Sequence, residues 1–75
     1  MSELTPYELL ANAIVARAAE DWRQAVRKLK RNSENLEAIR TKAETERFFL
    51  SDRFCTLTEV SGEALLEKLK EEAEE

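Results

Sequence analysis

Between Thr5 and Asn32 the chain carries one apolar repeat that nothing interrupts. Tyr7, Ala11, Ile14, Ala18, Trp22, Ala25 and Leu29 recur at spacings of three and four, the period of a helix face. Leu10, Val15, Ala19 and Val26 widen that stripe, which suits a helix facing more than one neighbour. The start is written locally. Thr5 is placed to cap, Pro6 takes the first helical position, Glu8 completes a capping box, and Leu4 is spaced to staple onto Leu9. A helix from Pro6 to Arg31 would be about 39 Å long at ~1.5 Å per residue. A compact chain of 75 residues has a radius of gyration of about 11 Å. The helix therefore overreaches the globule it belongs to unless it kinks or another chain covers it, and we expect a second copy to cover what the chain cannot. We place that interface on Ile14, Ala18, Trp22, Ala25 and Leu29, with a dimer as the simplest assembly.

The rest of the chain has little besides helix to offer. One glycine and one proline leave almost no turn chemistry for hairpins of strands, while Glu, Lys, Arg, Ala and Leu abound. The fold class is all-α, in one domain. Asn32 to Asn35 break the first helix, with Ser33 the expected cap, and a second helix runs from about residue 34 to 50. So short a link predicts a long antiparallel helical hairpin. Ser51 or Asp52 can cap a short third helix over 52–57. Thr58 or Ser61 can cap a fourth over 62–73, on which Leu65, Leu66 and Leu69 form the apolar side. Both short helices are expected to pack on the hairpin. The terminal Glu71–Glu75 is expected to fray, because carboxylates crowd the negative end of the helix dipole.

All three phenylalanines fall within Glu46–Glu59. Phe48, Phe49, Phe54 and Leu57 surround the reversal between the second and third helices, where large flat side chains can fill the space that helix ends leave open. A ligand pocket is the other reading of that cluster.

Charge is uneven. The net is +2 over residues 1–31, −1 over 32–58 and −5 over 59–75, for −4 in all. Arg23, Arg27, Lys28, Lys30 and Arg31 fall within nine residues. They can form an anion or nucleic-acid patch, or simply favour the negative end of the first helix. No aromatic residue interleaves them, so a stacking platform for single strands is not supported. Asp52–Leu69 reads as helix, turn, helix, yet the second of those helices with its tail, Gly62–Glu75, carries six glutamates against two lysines and would repel phosphates. The same acidic helix can imitate a nucleic-acid backbone or merely keep the chain in solution.

Chemistry is scarce. The chain has no histidine, and hence neither the commonest general base nor the commonest metal ligand. Neither a phosphate-binding glycine loop nor a nucleophile elbow is present. Catalysis, cofactors and metals are not expected. A single cysteine excludes an internal disulfide and fits a reducing compartment. Cys55, beside Phe54, reads as a small buried apolar residue rather than a reactive thiol. The longest uncharged apolar stretch, Leu9–Ala16, is far short of the roughly 20 residues a membrane span needs. A cytoplasmic location is expected.

With Ala11–Ile14 opening the pattern, the basic run before an Asn-led turn, Glu46–Thr58 in the form E-x-F-F-x-S-x-x-F-x-x-L-T and a closing L-L-x-K-L helix, the chain resembles a group of small helical proteins of bacterial prophages. The likeness spans Leu10 to about Glu72 and rests on packing and capping residues. Arg53 departs from it, standing where many relatives carry tryptophan. The resemblance implies a protein that occludes a host protein, such as a nuclease or another effector of antiviral defence, and it assigns no functional residue. Two further readings stay open: a DNA-associated regulator using residues 23–31, and sequestration of an anionic nucleotide between subunits by the same cations.

Overall fold

In the computed structural model, which describes residues 5–74, the chain forms four helices and, among those residues, no strand. They are α1 (Pro6–Arg31), α2 (Leu36–Phe49), α3 (Asp52–Leu57) and α4 (Gly62–Glu74). Each boundary has a local cause. The Thr5 hydroxyl accepts the Glu8 backbone N–H at 3.1 Å, and the Glu8 carboxylate accepts the Thr5 N–H at 3.4 Å, so α1 opens on a reciprocal capping box. Leu4, the other half of the expected staple, lies outside the described residues.

The second helix starts later than the sequence suggests, and Asn35 rather than Ser33 caps it. The Asn32 side chain takes the Glu34 N–H at 3.1 Å, and the Asn32 carbonyl takes the Asn35 N–H at 3.1 Å. The turn consumes those donors, which leaves Asn35 to receive the Ala38 N–H at 3.0 Å. At the far end one hydroxyl serves two helices. Ser51 donates to the Phe48 carbonyl at 2.6 Å, closing α2, and accepts the Phe54 N–H at 3.4 Å, opening α3. Ser61 caps α4 through the Ala64 N–H at 3.2 Å.

The core draws one or two large side chains from each helix: Trp22, Phe49, Phe54, Leu66 and Leu69, with Ala19 among them. Ala25 and Ala38 are also buried, and both line the groove between α1 and α2, where small side chains let two helices approach closely. Phe48, Phe49 and Phe54 meet at centroid separations of 5.6 to 5.7 Å, two of the three pairs nearly perpendicular at 83°. That edge-to-face arrangement is the one the ring quadrupoles favour. Phe49 and Phe54 are buried, Phe48 and Leu57 half-buried.

Gly62 does more than punctuate a turn. A Cβ at that position would run into the carbonyl oxygen of Phe49 and crowd the Phe54 ring. The start of α4 therefore rests directly on the last residue of α2, a contact only glycine permits.

α1 stays helical along its whole length. The molecule measures 44 × 24 × 18 Å with a radius of gyration of 13.5 Å, longer than the sphere of equal mass, because that helix sets the long axis. Tyr7, near its beginning, donates its phenol hydrogen to the Thr56 carbonyl at 3.1 Å and ties the start of α1 to α3.

A candidate contact surface and a self-neutralised basic run

Of the five residues expected to meet a second copy, the centre is already taken. Trp22 and Ala25 are each 2% exposed, enclosed by the chain's own helices. Ala18 and Leu29 are half-buried, and only Ile14 is exposed. The expected interface is corrected accordingly: the stripe over Trp22 and Ala25 is core, because α2 and α4 cover it.

What remains uncovered lies to one side. Val15, Ala19 and Val26 turn toward α4 and the phenylalanine corner. Leu10 sits on the opposite flank at 61% exposure, with Leu9 at 56%, Tyr7 at 57% and Ile14 at 39%. These four lie within two turns of α1, and from Leu9 to Ala16 no residue carries a charge. The signal was present in the helix angle. Leu9 and Leu10 stand away from the Trp22 direction, but the spacing count merges Leu10 with the core stripe, and Leu9 reads as the staple partner of Leu4. A second exposed pair, Leu36 and Ile39, stands at the start of α2 among Glu34, Glu37 and Arg40.

Two of the five residues of the basic run, Arg23 and Lys30, meet the acidic helix, and a third, Arg27, lies near Glu20 of α1 itself. Arg23 donates from Nε and Nη2 to one oxygen of Glu72, at 3.4 and 3.3 Å, and also approaches Glu20 at 3.8 Å. Arg27 lies 3.9 Å from Glu20. Lys30 reaches across to donate to the Ala73 carbonyl at 2.6 Å, satisfying an orphan acceptor at the C-terminal end of α4. Among the described residues, Lys28 and Arg31 alone of the five make no such contact; both are exposed. Of the Glu71–Glu75 segment expected to fray, the residues up to Glu74 are helical, and Glu75 lies outside the described residues. α4 continues to Glu74 because cations of α1 meet the negative end that its own carboxylates would destabilise. A groove of about 260 Å³ remains between α1 and α4, floored by Trp22, Val26 and Leu69 and walled by Arg23, Arg27 and Lys30. Glu72 already lies against Arg23 on its cationic wall, while Arg27, Lys28 and Arg31 line a separate, more open hollow with Gln24.

Trp22 has a partner that periodicity does not disclose. Its indole N–H donates to Glu46 at 2.9 Å, and Lys42 pairs with the same carboxylate oxygen at 2.9 Å. Burial pushes the Glu46 carboxyl up, but the hydrogen bonds from Trp22 and Lys42 and the charges of Lys42 and Lys70 outweigh it. The carboxyl sits below its ordinary value of 4.5. Cys55, expected inside, is exposed. On a six-residue helix Phe54 takes the inward direction, and the next residue turns about 100° away from it.

Among the described residues no helix is long and apolar enough to cross a membrane, and no three metal-ligating side chains converge. No family model, curated protein or solved structure matches the chain.

Proposed function

We propose that this is a small non-enzymatic protein of the prophage type that works by protein contact. Its first two helices make an antiparallel hairpin, α3 and α4 close over one side, and the assembly binds and occludes a host protein such as a nuclease or another effector of antiviral defence. One observation carries the contact reading. Among the described residues the core holds five large apolar side chains and four alanines, whereas eight large apolar side chains are exposed. Scattered exposed leucines need no explanation, but contiguous ones do, and six of these eight fall into the α1 and α2 groups described above.

The occlusion reading rests on the likeness to prophage proteins and on a sequence with little catalytic equipment. For a host partner we favour Leu36 and Ile39, since an apolar pair set among charges has the apolar centre and polar rim of a contact between unlike proteins. Capture from bacterial lysate tests this, comparing wild type with Leu36→Glu and Ile39→Glu. A host protein retained by wild type and lost by both variants is the expected outcome. An identical set of captured proteins in all three would overturn it. The DNA reading has less support, because Arg23, Arg27 and Lys30 are committed within the chain.

A further inference from the structure

We infer that the outward face of α1 over the uncharged stretch Leu9–Ala16 is the contact surface for a second copy of this chain, laid antiparallel across a two-fold axis at Ala13. The inference rests on the protein-contact reading above and names the partner for one of its two surfaces.

Two observations point to a second copy rather than to an unlike protein, and a third concerns the surface open to contact of either kind. The first is the absence of charge. Leu9 to Ala16 carry none, and Leu9, Leu10, Ala13, Ile14 and Ala16 are all exposed. A two-fold interface sets a surface against itself, so a charge at the axis would meet its own kind; none stands within three residues of Ala13, and the nearest on this face, Arg17, pairs with Asp21 of its own chain at 3.5 Å. Interfaces between identical subunits are also the more apolar class. The α2 pair, hemmed by Glu34, Glu37 and Arg40, lacks that character.

The second observation is shape. Large side chains, Leu9 and Leu10, precede Ala13 on this face and the small Ala16 follows it, with Ile14 at the edge. An antiparallel copy centred on Ala13 sets Leu10 of each chain against Ala16 of the other. Leu9 then runs along the aliphatic stem of Arg17, and the two Ala13 residues meet where the backbones come closest. Alanine at the crossing lets helices approach to the near end of the usual 8–10 Å range.

The third is area. The chain exposes 5982 Å², roughly 1,200 Å² more than a folded monomer of its mass is expected to expose. A standard interface takes about 800 Å² from each partner. The surplus is therefore enough for one such contact.

Cross-linking at the axis tests the register. In a Cys55→Ser background, Ala13→Cys is compared with Ala64→Cys, an equally accessible alanine on α4, under mild oxidation. Pre-associated copies raise the effective thiol concentration, so Ala13→Cys is expected to form the linked dimer at least roughly tenfold faster. Equal rates would overturn the inference. Sedimentation of the wild type and of Leu10→Glu separates this failure from failure of the broader reading. A wild-type dimer abolished by Leu10→Glu, with helix content unchanged, supports a second copy at this face. A wild-type monomer overturns it, and if Leu36→Glu still abolishes host capture, protein contact survives as the function without self-association. If the wild type is monomeric and no variant alters capture, both readings fall.

Discussion

Trp22 and Glu46 stand on different helices, and the part-buried bond between them ties a core side chain to a titrating group. Replacing Glu46 with alanine leaves the indole N–H without its partner in a partly buried site, at a cost of about 1–3 kcal/mol. The sign of the pH dependence follows from the lowered carboxyl pKa. The unfolded group titrates near 4.5 and the folded group below it, so the contribution is complete above about pH 4.5 and is lost as pH falls through the folded value. Glu46→Gln keeps an acceptor for Trp22 but cannot titrate. Urea midpoints followed by Trp22 fluorescence should show the wild type losing stability on the acid side faster than Glu46→Gln. Gly62 gives a second expectation at this scale. Gly62→Ala would gain about 1 kcal/mol from helix propensity in an open helix, but here its methyl meets the Phe49 carbonyl. A net loss of about 1–3 kcal/mol, read as a lower denaturant midpoint, is expected. Neither residue's role was legible in the sequence. Glu46 is one of many glutamates until its distance to Trp22 is known, and a lone glycine between helices reads as a turn until the carbonyl beneath it is seen. Cys55 failed for a related reason: an apolar neighbour in sequence says nothing about direction on so short a helix.

At the scale of elements, α1 and α4 form a charged pair whose halves look unrelated in the sequence. The basic run reads as a patch and the acidic helix as a tail; folding brings Arg23 to Glu72 and Lys30 to the Ala73 carbonyl, 49 and 43 residues apart. These contacts are exposed and individually worth less than about 1 kcal/mol, so their effect is local. Arg23→Ala with Lys30→Ala should speed amide exchange over Lys70–Glu74 while leaving the middle of α1 unchanged. Raising salt should do the same to the wild type, since exposed charges are screened. Equal exchange in mutant and wild type would show that Leu66 and Leu69 alone hold the helix. The span of α1 was plain from sequence because its caps and its repeat lie in adjacent residues. The start of α2 was not. Asn32, Ser33 and Asn35 can each cap, and only the hydrogen bonds of the turn decide which one does.

For the whole molecule, the sequence correctly carries the tension between a long helix and a small chain, and it misplaces where that tension is released. The stripe through Trp22 is consumed internally, and the uncovered apolar surface stands on the flank of Leu9, Leu10 and Ile14. Our account of the molecule rests on that flank being covered in solution by a second copy. Sedimentation equilibrium of the wild type over a range of micromolar concentrations tests it most directly. We predict a mass that rises with concentration from 8.7 kDa toward twice that value, and that stays at the monomer in Leu10→Glu. A wild-type mass that holds at 8.7 kDa at every concentration would contradict it.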